Sequence, residues 1–387
     1  MIDLNKYLSK LQEKIEVISP SIAFQNLISS GLLIDIREVD EVKHGSPINA
    51  IRISKGMLEM KIEQVISETS LPIYLMCQSG KRSLIAAKIL EDMGFSQIYS
   101  VDGGFSRWKN EGLPFEIPEI LSTDAKERYM RNILVPDIGE SGQRKLLNAR
   151  VLVVGAGGIG SPILYYLAAA GIGTLGIIDH DIVDKTNLQR QIIHSETSVG
   201  TSKVNSAKKR VLDLNPTINV LTFDMKLDAH NVESIFDQFD LIIDGTDNFT
   251  TRYLVNDACV KLKKPNIHGS VFMFEGQFTT FWPSYSNDAP CYRCLFPSPP
   301  PLELAPNCSE AGVLGVLPGL VGTLCATEAI NILLGFENMT TQLLVYNAKP
   351  IEFHKLKIKK DPTCKYCNCV DLNEYPPYED YFTSCKL

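Results

Sequence analysis

The segment that most constrains the fold of this chain runs from Val151 to Ser161 and reads VLVVGAGGIGS. Its four leading apolar residues, three of them β-branched, predict a buried parallel strand. The pattern Gly-x-Gly-x-x-Gly follows, and then a helix that is predicted to run to about Ala170. A second apolar strand, Thr174 to Ile178, ends at Asp179, 24 residues after Gly155. This order of strand, glycine turn, helix, strand and acidic residue predicts a nucleotide site.

The residue types of this turn explain the prediction. Glycines let the backbone approach phosphate oxygens, and the N-terminus of the following helix offers free N–H groups. An acidic residue at the end of the second strand, here Asp179, holds a ribose hydroxyl. The glycines predicted to contact the nucleotide are Gly155, Gly157, Gly158 and Gly160. This pattern does not by itself distinguish ATP from NAD.

Length and composition restrict the class of protein. A chain of 387 residues predicts two or three domains, and 44% apolar with 21% charged residues is typical of a soluble globular protein. The net charge of −7 argues against nucleic acid or an anionic membrane as a general partner. Residues 1–14 resemble an amphipathic helix rather than a signal peptide, so the ten cysteines indicate metal or thiol chemistry in a reducing, cytoplasmic compartment.

A second chemical motif lies near the N-terminus, where the apolar run Ile73 to Met76 is followed by CQSGKRS and a predicted helix. Cys77 therefore lies at a strand end, where loop amides and a helix N-terminus favour a thiolate, and Lys81 and Arg82 add positive charge. Arg82 follows Cys77 by five residues, whereas cysteine-dependent phosphatases place an Arg six residues after the Cys. The shorter loop suits a single sulfur atom better than a phosphate.

This motif, together with LIDIRE at 33–38 and VDGGFSRW at 101–108, resembles the rhodanese sulfurtransferases over about residues 15 to 117. The resemblance implies that Cys77 carries a persulfide. Asp35 and Arg37 are interpreted as structural residues. The alternative is a buried structural cysteine in a degenerate domain.

A connector with two prolines, residues 112–118, predicts the domain boundary, with a first domain at 1–118 and a second at 119–387. In the second domain Arg190, Lys203 and Asp247 are predicted to gather around the phosphates. Two cations and a free carboxylate suit a triphosphate with Mg²⁺ better than they suit NAD.

Six segments of this second domain look like the MoeB/ThiF family, whose members are similar to ubiquitin-activating enzymes. The segments are RYMRN at 128–132, the glycine turn at 155–160, NLQRQ at 187–191, Lys203, TDN at 246–248 and CYRC at 291–294. The resemblance implies that Asp179 holds the ribose of ATP, that Asn187, Arg190 and Lys203 hold its phosphates, and that Asp247 holds Mg²⁺. It also implies that Arg131 reaches the ATP of a neighbouring subunit, and hence a homodimer.

Two Cys-x-x-Cys pairs, Cys291 with Cys294 and Cys364 with Cys367, predict a tetrahedral Cys₄ zinc site, which the family resemblance also implies. Cys369 is an alternative ligand. Between the pairs, a proline-rich loop contains Cys308. Some relatives use a cysteine here to hold their substrate, a small ubiquitin-like sulfur carrier, covalently. The alternative for Cys308 is a plain loop thiol.

The combined prediction is an α/β chain, with an N-terminal rhodanese domain followed by a Rossmann-like ATP-binding domain of the MoeB/ThiF type with a zinc site. Such a chain adenylates the C-terminal glycine of a ubiquitin-like sulfur carrier ending in Gly-Gly, and a Cys77 persulfide converts it to a thiocarboxylate. Thiosulfate or a cysteine desulfurase would supply the sulfur. The alternatives are adenylation of another peptide or RNA by the same fold, an NAD oxidoreductase with an accessory sulfur domain, and a non-enzymatic scaffold.

Overall fold

The computed structural model describes residues 4–29, 31–66, 68–117, 121–299, 312–368, 375–376 and 378. The chain divides into two compact units, Met1–Ser122 and Thr123–Leu387. The boundary predicted after residue 118 falls on residues 118–120, which lie outside the described residues. Cys308 and Cys369 also lie outside them.

The first unit is built on a parallel sheet of five strands in the order β1-β6-β5-β2-β4. A separate antiparallel pair joins β3 to β7. The strands are β1 (Glu16–Ile18), β2 (Leu32–Asp35), β3 (Ser46–Pro47), β4 (Ile51–Arg52), β5 (Ile73–Met76), β6 (Ile98–Val101) and β7 (Phe115–Glu116). The helices are α1 (Leu4–Gln12), α2 (Pro20–Ser29), α3 (Val39–Val42), α4 (Leu58–Val65), α5 (Lys81–Asp92) and α6 (Gly104–Asn110), with a 3₁₀ turn at Lys55–Met57.

Strand β5 is central and every one of its residues is buried, as its uninterrupted apolar run predicts. Helix α5 begins at Lys81, inside the segment CQSGKRS (residues 77–83), whereas the sequence predicts a helix only after that segment. The reason is Gly80, whose φ of +85° turns the chain directly from the cysteine loop into the helix. Arg82 and Ser83 therefore belong to the first helical turn.

The second unit contains an eight-stranded sheet in the order β10-β9-β8-β11-β12-β13-β14-β15. Its strands are β8 (Arg150–Val154), β9 (Thr174–Ile178), β10 (Asn219–Phe223), β11 (Leu241–Asp244), β12 (Asn266–Phe272), β13 (Glu275–Phe281), β14 (Gln342–Asn347) and β15 (Glu352–Lys357). The pairings from β10 through β12 are parallel, and those from β12 to β15 are antiparallel.

Helices cover this sheet and complete its core. They are α7 (Thr123–Arg128), α8 (Met130–Ile133), α9 (Gly139–Asn148), α10 (Gly160–Ala170), α11 (Lys203–Leu214), α12 (Val232–Phe236), α13 (Phe249–Lys261), α14 (Tyr292–Leu295) and α15 (Val316–Leu334), with 3₁₀ turns at Lys185–Asn187 and Glu196–Ser198. In the sheet, β8 lies between β9 and β11, so the chain runs outward from β8 in one direction first and then in the other. Open α/β sheets bind ligands at the point where the strand order reverses in this way. The α/β class predicted from the sequence is confirmed.

Helix α15 is long and apolar enough to cross a membrane, judged by length and composition alone. In this fold it packs against α10, β12 and β13. The contact is close, because a Cβ atom on Gly322 would lie 2.3 Å from the carbonyl oxygen of Ile159. Burial against the sheet accounts for its apolar composition.

Candidate active sites and metal centre

A cavity of about 470 Å³ opens at the carboxyl ends of β8, β9 and β11, next to the glycine turn. Most of the predicted nucleotide-site residues line it, namely Gly155, Gly157, Gly158, Asp179, Arg190, Lys203 and Asp247. The cationic side chains of the lining are Arg190, Lys203, Lys226 and Arg252. The structure therefore brings together residues separated by almost a hundred positions into one cation-rich cavity of a size that suits a nucleotide.

The glycine turn has the close backbone packing that its sequence predicts. Gly155 has a φ of +94°, and a Cβ atom on Gly160 would lie 2.0 Å from the carbonyl oxygen of Gly155. Asp179 is fixed at the end of β9, because its carboxylate accepts hydrogen bonds from Ala156 N at 2.8 Å and from Asp181 N at 2.9 Å. Gly160 thus shapes the turn without lining the cavity.

Three of the cationic side chains of the cavity contact neighbouring oxygen atoms. The buried ammonium of Lys203 lies 2.8 Å from Asp181 Oδ2. Burial raises the pKa of Asp181, but the hydrogen bond from Lys203 and the charges of Lys203 and His180 together outweigh this effect, and the pKa is lowered. Arg252 Nη2 donates to Thr246 O at 2.9 Å, and Arg190 Nη1 donates to Thr186 O at 3.3 Å. Anionic phosphate oxygens are the ligands that such an array attracts.

Besides Gly160, two more of the predicted residues do not line the cavity. Asn187 caps its own 3₁₀ turn, with its Oδ1 accepting from Asp184 N at 3.1 Å. Arg131 is exposed on α8. Their roles toward phosphate and toward a neighbouring subunit therefore stay predictions.

Sequence reasoning missed a buried pair that supports the loop bearing Asp247. Asp244 accepts hydrogen bonds from Thr246 N at 3.0 Å and Thr246 Oγ1 at 2.6 Å, and from His268 Nδ1 at 2.9 Å. Burial raises the pKa of Asp244, but the hydrogen bonds from His268 and Thr246 and the nearby positive charge of Arg252 together lower it. Burial lowers the pKa of His268. An ionised Asp244 thus anchors the turn that directly precedes Asp247. The only sequence signal was an Asp at the end of an apolar strand.

The Cys77 loop forms a cradle around a single sulfur atom. Cys77 is buried, and its Sγ accepts from Gly80 N at 3.2 Å and from Ser83 N at 3.4 Å. The hydroxyl of Ser83 lies 3.6 Å from the same sulfur. Because these donors belong to the loop and the first turn of α5, they favour negative charge on sulfur.

Arg82, which the sequence predicts to add positive charge near Cys77, is paired with a carboxylate. Its guanidinium makes two hydrogen bonds to Glu41, at 2.7 and 2.5 Å. This ion pair raises the pKa of Arg82 and lowers that of Glu41. Glu41 therefore balances much of this positive charge, while a smaller interaction with Cys77 also raises the pKa of Arg82.

Arg37 was interpreted as structural, and its contacts tie it to the reactive loop. The buried guanidinium pairs with Asp35 at 2.7 Å and donates to Gln78 Oε1 at 3.0 Å. Gly104 approaches the loop from the other side, and a Cβ atom there would lie 2.1 Å from the carbonyl oxygen of Cys77. These contacts explain why DIR and DGGF accompany the cysteine motif in the sequence.

The four predicted metal ligands converge. The Sγ atoms of Cys291 and Cys294 are 3.8 Å apart, those of Cys291 and Cys364 are 3.7 Å apart, and those of Cys294 and Cys367 are 3.5 Å apart. A tetrahedral zinc site with Zn–S bonds of about 2.3 Å has sulfur atoms about 3.8 Å apart. The donor set and its spacing therefore fit zinc.

The metal-ligand segments, residues 291–294 and 364–367, are tied to α13 by contacts that the sequence did not predict. Arg293 lies between the first two cysteines, is buried, and pairs with Asp257 through two hydrogen bonds of 2.8 Å. Tyr378 donates to the same carboxylate at 2.6 Å. The Arg293 guanidinium also lies over the ring of Tyr366, 3.8 Å from its centroid. These contacts fix the orientation of both cysteine pairs.

Comparison with known families agrees with this architecture. The ThiF family matches residues 129–366, and the rhodanese-like domain matches residues 21–111. A solved structure of Escherichia coli MccB with ATP superposes with a TM-score of 0.54 over 62% of this chain and 73% of that chain, at 24% identity. That likeness concerns the fold.

Two curated relatives show how far the similarity extends. The chain is 47% identical over 262 residues to the Mycobacterium tuberculosis probable adenylyltransferase/sulfurtransferase MoeZ, covering 66% of each protein. It is 45% identical over 264 residues to the Thermus thermophilus sulfur carrier protein adenylyltransferase, covering 67% of this chain and 97% of that protein. The chain spans about two thirds of the length of the first relative. It belongs to the ThiF family and carries a rhodanese-like domain ahead of its ThiF domain.

Proposed function

We propose that this chain is an adenylyltransferase and sulfurtransferase, which adenylates the C-terminal glycine of a ubiquitin-like sulfur carrier and then converts it to a thiocarboxylate. The observation that carries the proposal is one chain holding both a cation-rich nucleotide cavity beside a glycine turn and a single-sulfur cradle around Cys77. The MoeZ relative is named for both activities, and the Thermus relative is named for adenylation of a sulfur carrier protein.

The first step is attack of the carrier carboxylate on the α-phosphate of ATP, which gives an acyl-adenylate and releases pyrophosphate. Asp179, Gly157 and Gly158 line the cavity. Asp179 would accept a hydrogen bond from the ribose, and the two glycines would leave room for phosphates. Arg190 and Lys203 would stabilise the charge that develops on the phosphate oxygens. Asp247 would hold Mg²⁺, which neutralises phosphate charge when it is bound.

The second step is transfer of sulfur. The terminal sulfur of a Cys77 persulfide attacks the acyl carbon, AMP leaves, and an acyl disulfide joins the carrier to Cys77. A thiol then attacks the Cys77 sulfur and releases the thiocarboxylate, leaving a disulfide that a thiol reductant must reduce. Cys308, outside the described residues, is proposed to hold the carrier between adenylation and sulfur transfer. In that case its thiol displaces AMP to form a thioester, and the persulfide then attacks the thioester and releases the Cys308 thiol.

The proposal also includes a metal ion, a sulfur donor and an oligomeric state. Zn²⁺ is proposed as a structural ion on the four cysteines. Thiosulfate or a cysteine desulfurase would load Cys77, and the working form would be a cytoplasmic homodimer in which Arg131 acts across the interface.

The test is the intact mass of a carrier that ends in Gly-Gly after incubation with the chain, MgATP and thiosulfate. We expect the wild type to replace one carboxylate oxygen by sulfur, and Cys77→Ala to form the adenylate without gaining sulfur. Cys259→Ala, which removes a buried thiol of α13, is the matched control. A carrier left untouched by the wild type would refute the proposal and favour another peptide or RNA as the substrate.

A further inference from the structure

His194 is buried behind the glycine turn and has two hydrogen-bond partners. Its Nε2 lies 2.9 Å from the carbonyl oxygen of Ala156, and its Nδ1 lies 2.9 Å from Ser206 Oγ. No sequence motif singled it out, and it does not line the cavity. His194 therefore contacts the glycine turn from the protein interior and not from the cavity.

The partners determine the tautomer of the imidazole. A carbonyl oxygen only accepts hydrogen bonds, so Nε2 must carry a proton. Burial lowers the pKa of His194 and the charge on Lys203 lowers it further, so the ring is neutral near pH 7. Nδ1 is then an acceptor, and the hydroxyl of Ser206 donates to it.

The Ala156 carbonyl controls the direction of the next amide. The peptide bond between Ala156 and Gly157 is planar and trans, so the Gly157 N–H points opposite to the carbonyl oxygen. The carbonyl is held toward His194 in the interior, while Gly157 lines the cavity. The amide is thereby directed away from His194, toward the side where the phosphates would lie.

We propose that His194 is a positioning residue for nucleotide phosphates, because it holds the Ala156 carbonyl so that the Gly157 amide is directed at a phosphate oxygen. This inference rests on the proposed ATP-dependent function. Ser206 and Lys203 belong to the same first turn of α11. The hydrogen bond from Ser206 to His194 therefore also links the glycine turn to the helix that presents Lys203.

The direct test compares the dissociation constants of ATP and adenosine, the latter by competition with labelled ATP. Loss of one well-directed amide contact weakens binding about 3- to 10-fold. We expect His194→Phe to weaken ATP binding by that factor with adenosine binding unchanged. His194→Gln, whose amide can still donate to Ala156 O, should recover most of the ATP affinity.

Each outcome of this comparison has a distinct meaning. Equal weakening of ATP and adenosine, or unchanged ATP binding, overturns the positioning role. If the wild type binds no ATP, the proposed function fails first, and the inference falls with it.

A second measurement is independent of whether the His194 variants fold. Long-range proton–nitrogen NMR spectra of protein labelled with ¹⁵N-histidine distinguish the two neutral tautomers, and the chain has only six histidines to assign. We expect the Nε2-protonated form for His194 in the wild type. Observation of the Nδ1-protonated form would contradict the proposal.

Discussion

Asp247 lies in the turn after β11, where its exposed carboxylate lines the nucleotide cavity. If it holds Mg²⁺, removing the carboxylate leaves the phosphate charge uncompensated in the transition state. We expect Asp247→Ala to reduce ATP–pyrophosphate exchange by at least about 100-fold, the loss typical of one electrostatic catalytic group. Asp213→Ala, an exposed carboxylate on α11, is the control and should keep the wild-type rate. Exchange that persists in Asp247→Ala would remove the residue from the mechanism.

His194 also makes stability depend on pH. Because its pKa in the folded chain is lowered from 6.5, first by burial and then by Lys203, the unfolded chain binds a proton more readily. The His194 contribution to stability is therefore complete above about pH 6.5 and is lost as pH falls through the folded pKa. We expect the free energy of unfolding of the wild type, relative to His194→Phe, to shrink as pH falls from about 7.5 to about 5.5. Denaturant titrations of both proteins at several pH values would measure it, and a constant difference would show that His194 does not titrate in this range.

The metal-ligand site, formed by Cys291, Cys294, Cys364 and Cys367, is where we expect stability to depend on one ion. It joins α14 to the region around Cys364 and lies beside the buried Arg293–Asp257 pair. We expect Cys364→Ser to abolish bound zinc and to lower the melting temperature, because a structural zinc site contributes directly to folding. Zinc content by atomic absorption and thermal unfolding are the measurements.

The control for this experiment is Cys325→Ala, which removes a buried thiol from α15 and leaves the four ligands intact. It should retain one zinc per chain. Full zinc content in Cys364→Ser would instead indicate a different ligand set, with Cys369 as the sequence alternative.

Elements whose signal is local were predictable from the sequence. The β8–α10–β9 unit follows apolar periodicity and the glycine pattern, so strand β9 has the predicted bounds Thr174–Ile178 and α10 ends at Ala170. The cysteine pairs were predictable because metal ligands leave a fixed spacing. What escaped prediction depends on distant contacts: Arg293 with Asp257, His194 with Ala156, and Glu41 with Arg82. No local pattern encodes such pairs.

At the scale of the whole molecule, both units place their chemistry by the same rule. Cys77 follows β5, and Asp247 follows β11 by three residues; each strand lies inside a parallel region of its sheet. Carboxyl ends of parallel strands expose loops and helix N-termini together, which is where anions and nucleophiles are stabilised. Two different chemistries therefore reuse one structural solution within a single chain.

The proposed dimer predicts that two inactive variants restore each other. Arg131 is exposed on α8 and does not line the cavity of its own chain. In the proposed dimer, Arg131 of one chain completes the site that contains Asp247 of the other chain. Arg131→Ala and Asp247→Ala should each be inactive in ATP–pyrophosphate exchange. In a heterodimer of the two, one site has both residues and the other has neither.

Random exchange of subunits in an equal mixture makes half of the dimers mixed, so about one quarter of the wild-type activity should return. The measurement is exchange activity after the two variants are unfolded together and refolded, beside a mixture made without unfolding. A mixture of Asp247→Ala with Lys203→Ala is the matched control, because both side chains line the same cavity and no complete site can form. Recovery in the first mixture alone would place Arg131 across the interface. No recovery, with mixed dimers present by mass spectrometry, would mean that Arg131 acts within its own chain or not at all.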